Sequence, residues 1–350
     1  MELHFTRNNG GIDEEIDRII ALTGTVHDSE IVREMIIAAL KAGQEDHNRA
    51  DLKLMNTTLK EMRFTAKIFG PYRNVRKVTV FGSARTRPDE TVYGMARQLG
   101  EMLAQAGCMV ITGAGGGIMQ AVNEGAGPEH SFGVNIKLPF EQTANYVLQG
   151  NPRLITYKYF FNRKVAFLKE ADAIALFPGG FGTLDEAMET LTLLQTGKRA
   201  PLPLLLVDEP GGKYWSHWLR FFEDELLSQG YIESSDFSLF ERVDSVAAAV
   251  TSINLFYNRY HSLRYVEKQL VIRLMSAIDE RDILQLNEQF QDILLPGGRI
   301  CGACSLPEES EEKDILELPR LVVDFNRRDF GRLRKLIDVI NSFPAAEGNT

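Results

Sequence analysis

At roughly 150 residues per domain, a chain of 350 residues holds two domains or three. It is 44% apolar and 25% charged, an ordinary globular composition that excludes global disorder, a collagen-like chain and a coiled-coil rod. The net charge is −9, and cuts at residues 72 and 255 leave −3 on each piece. No basic or acidic block therefore points to a nucleic acid or an anionic membrane as partner. No apolar run reaches 18 residues, which argues against a transmembrane helix. The start, Met1-Glu2-Leu3-His4, lacks the basic-then-apolar pattern of a secretory signal. Three cysteines are too few for a disulfide framework, so a reducing cytoplasm is the expected location.

In chain order, residues 12–22, 28–43 and 46–68 show apolar residues at three- and four-residue steps and are expected to be helices. Gly70-Pro71 ends that pattern. Short apolar strands are then expected at 78–81, 108–112, 131–138, 173–177 and 204–207. Helices are expected over about 90–106, from 118, over 158–170, 184–194 and 215–229. The strands are continuous apolar runs alternating with helices, the mark of a parallel sheet covered on both faces. Residues 259–294 read as two helices, 305–317 as an acidic loop, 321–325 as a strand and 329–342 as a last helix. The expected fold is α/β: a Rossmann-like, doubly wound parallel sheet over 73–255, a helical N-terminal region over 1–72, and a small α+β C-terminal region over 256–350.

In such sheets the loops at the carboxyl ends of the strands form the binding crevice, and here those loops are rich in glycine. The first strand ends at Gly82-Ser83. The second runs into Thr112-Gly113-Ala114-Gly115-Gly116-Gly117, then a helix; this is either a tight strand–helix turn or an anion site at a helix N-terminus. The fourth is followed by Pro178-Gly179-Gly180-Phe181-Gly182-Thr183-Leu184-Asp185-Glu186. Loop and first-turn N–H groups there would converge on a phosphate. No lysine follows the glycines, so a triphosphate-binding Walker loop is not indicated and a monophosphate fits better. Thr183-Leu184-Asp185-Glu186 also matches a T-x-x-E capping box, with Thr183 as helix cap and Glu186 as its partner. Against that, a carboxylate beside a phosphate at one helix mouth is repelled by about 4 kcal/mol per charge pair at 4 Å. A bound phosphate would turn Glu186 away and call for a cation such as Arg163 or Lys164.

Together these residues resemble the LOG family, the cytokinin-activating phosphoribohydrolases, many once labelled lysine decarboxylases. The family pattern P-G-G-x-G-T-x-x-E is met in full by Pro178 through Glu186, a match expected by chance on the order of once in 10⁵ such chains. The upstream Arg-Lys pair is met by Arg163-Lys164. The resemblance spans about residues 75–250 and is nearer the longer bacterial subtype, with Phe160 where plant-type members carry Met. In the first loop Ala114, Gly116 and Gln120 replace the Gly, Pro and Glu expected of that subtype.

The resemblance implies hydrolysis of the N-glycosidic bond of a nucleoside 5′-monophosphate, AMP or a cytokinin riboside 5′-monophosphate, to free base and ribose 5-phosphate. Arg163 and Glu186 are the implied catalytic pair. Glu141, Lys164, Gly179, Gly180, Gly182, Thr183, Thr192, Gly115, Gly117 and Ser83 are the implied substrate contacts. No metal or cofactor is implied, and a homo-oligomer with the site near a subunit interface is expected. Two other readings stand beside it: a broad nucleotide nucleosidase regulated by an alarmone, and a non-catalytic nucleotide or pterin carrier. Arg85 and Arg87 read as surface charge. Cys301-Gly302-Ala303-Cys304 reads as two loop thiols or a redox-sensitive pair, without the further ligands zinc needs.

Overall fold

The computed structural model describes residues 5–45, 48–138 and 143–344; Glu141 lies outside them. It divides into two compact units, Met1–Phe64 and Thr65–Thr350. The first holds α1 (Gly11–Leu22), α2 (Ser29–Glu45) and most of α3 (Arg49–Phe69). Ile16 and Ile37 are buried, and the buried Arg33 guanidinium donates to Asp13 (3.2 Å) and to the Phe5 carbonyl (2.9 Å). Asp13 also accepts from the Asn9 amide at 2.9 Å, so the buried pair keeps hydrogen-bond partners beyond each other.

The second unit begins with an α/β segment: β1 (Lys77–Phe81), α4 (Thr91–Gln105), β2 (Met109–Thr112), α5 (Ile118–Ala126), β3 (Ser131–Ile136), β4 (Leu154–Tyr157), α6 (Phe160–Lys169), β5 (Ala173–Leu176), α7 (Phe181–Gln195), β6 (Leu204–Val207), α8 (Tyr214–Phe221), β7 (Glu241–Val243) and α9 (Val246–Phe256). Seven strands form one sheet in the order β4-β3-β2-β1-β5-β6-β7, and every pair is parallel. Its central strands are buried on both faces, which is why they read as unbroken apolar runs. On one face Val78, Val80, Ala175 and Val207 share a core with Leu99 of α4, Val122 of α5 and Ile253 of α9. On the other, Phe81 packs edge-on against Phe167 of α6 at 4.8 Å. The chain winds outward from β1 through β4 and then returns to lay β5 against the opposite side of β1. The order reverses there, and that reversal opens the crevice where ligands of such sheets bind.

The rest of the unit is β8 (Tyr260–Val266), β9 (Gln269–Leu274), α10 (Glu280–Gln289), β10 (Ile300–Ala303), β11 (Arg320–Val323) and α11 (Phe330–Ser342). Its sheet has the order β10-β11-β9-β8 and is antiparallel. Residues 259–294 are thus not two helices but a hairpin followed by one helix. Leu263, Tyr265, Leu270 and Ile272 pack on the core shared with Leu286 and Leu336. The hairpin turns over Glu267-Lys268 with Glu267 at φ 50°, a turn without the Asn-Gly or Gly that announces one in sequence. Three short strands, β4, β7 and β10, also escape the sequence reading. The helix expected to run to residue 229 ends as an α-helix at Phe221 and continues as a π-turn over Phe222–Leu227.

The acidic loop is folded down rather than free. Glu309 is fully buried, paired with Arg273 at 2.6 Å and Arg320 at 3.2 Å, while Glu312 pairs with Arg273 at 2.8 Å and with Arg264. Cys301 is not a loop thiol but lies on β10, opposite Val322. Extended chain over three residues spans about 10 Å, beyond the Cα separation a disulfide bridges, so Cys301 and Cys304 cannot join while β10 is formed.

Helix α11 docks through Gly331, where a β-carbon would come within 2.1 Å of the Ser235 carbonyl oxygen. Alanine ordinarily favours a helix over glycine by about 1 kcal/mol. Here the sign should reverse: Gly331→Ala is expected to destabilise the protein by about 1–3 kcal/mol, read as a lower thermal midpoint.

Candidate functional site

The loops after β1 and β5 meet at the reversal point. The Phe177 amide donates to the Phe81 carbonyl (2.9 Å) and the Ser83 amide to the Pro178 carbonyl (3.1 Å). Above them lies a cleft of about 780 Å³ lined by Gly82–Arg85, Gly113, Met119, Phe160, Arg163, Phe167 and Gly179–Glu186. The volume lies in the range typical of small-molecule sites.

Helix α7 starts earlier than the capping-box pattern suggests. Gly180 is its N-cap, no side chain caps it, and Thr183 lies inside the first turn. Thr183 therefore does not cap the helix, and Glu186 is not half of a capping box. Glu186 is 5% exposed, and its Oε2 has no hydrogen-bond partner among the described residues. Loss of water raises its pKa from 4.5 to about 7, against the opposing pull of Lys164 and Arg163. A buried, unpaired carboxylate is costly, and its position on a cleft wall is the usual mark of a reactive group.

Arg163 is placed by α6. Its Nε donates to the Val134 carbonyl at 2.8 Å, and its guanidinium lies over the Phe167 ring, 4.9 Å from the centroid. Burial pushes its pKa down, and Glu186 partly offsets this. It passes so close to the second-strand loop that a β-carbon on Gly113 would sit 2.4 Å from a terminal nitrogen. Lys164 does not line the cleft: it bridges Asp185 at 2.8 Å and Glu189 at 2.6 Å, clamping α6 to α7.

The glycines divide into two groups. Gly179 leaves no room for a side chain, since a β-carbon would meet Thr183 Oγ1 at 2.2 Å. Gly117, at φ +61°, would collide with the Ser83 carbonyl at 2.2 Å. These two are required by packing. Gly180 and Gly182 are not: their β-carbon positions face open space, and neither has positive φ. Nothing in the packing of the described residues calls for glycine there, whereas a ligand lying against the backbone would. No backbone partner is found for the amides of Gly180, Phe181 or Gly182 among the described residues, so the mouth of α7 presents free N–H donors and the positive end of a helix dipole.

Of the residues read from sequence, the fold brings together Ser83, Arg163, Gly179, Gly180, Gly182, Thr183 and Glu186 around one cleft. Gly115 and Gly117 lie in the loop behind it, where Gly115 accepts from Asn145 at 3.0 Å. Thr192 is exposed, its hydroxyl on the Met188 carbonyl at 2.8 Å. Gly113, rather than its loop neighbours, reaches the cleft. Arg85 also lines it, while Arg87 turns to Asp89 and Glu90; charge alone does not separate the two in sequence.

Known proteins are similar to this chain in the same region. The family model described as "Possible lysine decarboxylase" matches residues 116–253. The cytokinin riboside 5′-monophosphate phosphoribohydrolase LOG2 of Arabidopsis thaliana is 31% identical over 168 residues, 46% of this chain and 74% of that protein. A probable enzyme of the same name, LOG4 of Oryza sativa subsp. japonica, is 28% identical over 185 residues, 51% of this chain and 76% of its own. Among solved structures, the molybdenum cofactor carrier protein from Chlamydomonas reinhardtii aligns at 21% identity with a TM-score of 0.35, covering 51% of this chain and 96% of its own; at that distance it carries no functional argument.

A carboxyl with a folded pKa near 7 holds its proton more tightly in the native state than in the unfolded chain. Its contribution to stability is fullest below about pH 4.5 and is lost as pH rises through about 7, a swing of about 3 kcal/mol at 1.4 kcal/mol per unit. Glu186→Gln should therefore melt well above the wild type at pH 8, with a much smaller gap at pH 5. Calorimetric scans at both values test this; an equal gap at the two would mean the carboxylate is solvated.

Proposed function

Because the chain belongs to the LOG family, whose named members are cytokinin riboside 5′-monophosphate phosphoribohydrolases, we propose that it hydrolyses the N-glycosidic bond of a nucleoside 5′-monophosphate. AMP and cytokinin riboside 5′-monophosphates are the substrates to be compared. The observation that carries this reading is the unpaired, buried carboxyl of Glu186 on the same cleft as the open glycines of the α7 mouth. In this reading the phosphate sits on the amides of Gly180 to Gly182, with Arg85 as a second cation. Fixing the phosphate fixes the ribose, which lowers the entropic part of the barrier.

Glycoside cleavage passes through a state with positive charge on the sugar. As the bond from C1′ to the base nitrogen breaks, its electron pair leaves with the base. The ionised Glu186 stabilises the cation and takes a proton from the water that adds to C1′. That proton is then available to the departing base nitrogen, so the products are neutral base and ribose 5-phosphate. A base with pKa near 7 suits this work at neutral pH. Arg163, buried on the same wall, keeps Glu186 from being too weak an acid and offers positive charge to the substrate. Lys164 acts indirectly, holding α7 against α6.

The reading extends to assembly. Phe161 and Val165 of α6 and Phe181 of α7 are exposed by 48%, 47% and 93%, an apolar rim beside the cleft that suits a second copy of the chain and a site near the subunit interface.

Incubation with a panel of nucleoside monophosphates, reading released base by chromatography, tests the activity; a ligand bound and recovered intact would favour a carrier. Glu186→Gln is expected to lower turnover by about 10²–10³, and the wild-type rate should fall as pH drops below about 7. Gly182→Ala is expected to fold normally, with a thermal midpoint no lower than wild type because alanine favours the helix, yet to raise KM at least about tenfold through the lost close approach. Unchanged KM would place the phosphate elsewhere.

A further inference from the structure

The loop after β6 reaches the phosphate seat from behind. Tyr214, the first residue of α8, donates its hydroxyl to the Gly179 carbonyl at 2.6 Å. Its ring stands edge-on to Trp215 at 4.8 Å. Trp215 is fully buried, and its indole N–H donates to the Val207 carbonyl at 3.0 Å. The buried Asp208 carboxylate accepts from the Trp215 amide at 3.4 Å and the Glu209 amide at 3.2 Å. Gly212 lies so close that a β-carbon would meet Asp208 Oδ1 at 2.2 Å. The start of α8 is thus fastened to the end of β6, and the Tyr214 hydroxyl is held at a fixed place.

A trans peptide is planar, with its C=O and N–H on opposite sides. The Gly179 carbonyl and the Gly180 N–H belong to one such plane, and there is no cis peptide among the described residues. Gly179 and Gly180 line the cleft, whereas Tyr214 does not. A carbonyl drawn back toward Tyr214 therefore turns the Gly180 N–H toward the cleft. Glycine has no side chain to hold this plane, so without the hydroxyl it is free to flip.

We propose that Tyr214 is a positioning residue that aims the Gly180 amide at the substrate's phosphate. The assignment rests on the proposed reading of the cleft as a sugar-phosphate site. The residue touches no substrate. It fixes the polarity of the seat, a donor instead of a carbonyl oxygen, and so favours an anion over a neutral ligand.

The test compares wild type with Tyr214→Phe, which keeps the ring against Trp215 and removes only the hydroxyl. Affinity for ribose 5-phosphate, read by calorimetry, should fall about ten- to hundredfold, the scale of one hydrogen bond to a charged group. KM for AMP should rise by a similar factor while kcat changes less than twofold. Affinity for adenosine, which lacks the phosphate, should be unchanged. Equal ribose 5-phosphate affinity in the two proteins, or equal losses for ribose 5-phosphate and adenosine, would overturn the assignment, the second showing general loosening of the loop. Because affinity is measured without turnover, a wild type that binds ribose 5-phosphate but cleaves no nucleotide would sink the proposed activity and leave the Tyr214 comparison standing. A wild type with no affinity for it would overturn both.

Discussion

The site depends on a carboxyl group that the fold buries without pairing. Glu186 lies in the second turn of α7, shielded from water, with one oxygen left without a partner among the described residues. Its neighbours pull in opposite directions: Lys164 and Arg163 favour the ionised form, Glu189 and Asp185 oppose it. Desolvation decides the balance. Lys164 is committed to Asp185 and Glu189, so it favours the ionised form of Glu186 only through space, while those two carboxylates add to the rise in the Glu186 pKa.

The second constraint is backbone proximity. Three loops, after β1, β2 and β5, converge where the strand order reverses, and they approach so closely that Gly117 and Gly179 have no room for a side chain. Packing explains these two. It leaves Gly180 and Gly182 unexplained, and those two lie where backbone amides open on the cleft. Sorting glycines by what a β-carbon would strike separates the residues that build the seat from the residues that a ligand would use.

Much of the parallel sheet was legible because its strands are buried on both faces and end in glycine runs, as at Thr112–Gly117 and Pro178–Gly182. The misreadings have physical causes. Thr183 and Glu186 match the spacing of a capping box, yet α7 starts at Phe181, because the glycine at 180 can leave the helix without a capping side chain. The β8–β9 hairpin looked helical because Leu263, Val266 and Leu270 fall at three- and four-residue steps, while its turn carries Glu-Lys. Tyr214 has no sequence signal at all: its role depends on a carbonyl thirty-five residues away in the chain. Glu309, one acid among several in Glu308–Glu312, is distinguished only by the arginines that two strands, β9 and β11, set beside it.

The C-terminal sheet is fastened to the larger one by more than apolar contact. Arg334 of α11 donates to the carbonyl of Leu202, just before β6, at 2.9 Å, and lies over the ring of Phe256. Gln195, at the end of the helix that begins at the cleft, bonds Asp236 in the turn on which α11 rests. A fragment cut after α9 would therefore not be a smaller copy of the same fold. It would carry an orphaned main-chain oxygen beside its own central strands and a raw apolar face where α11 had been, so the folded unit of this chain extends well past its last glycine-rich loop.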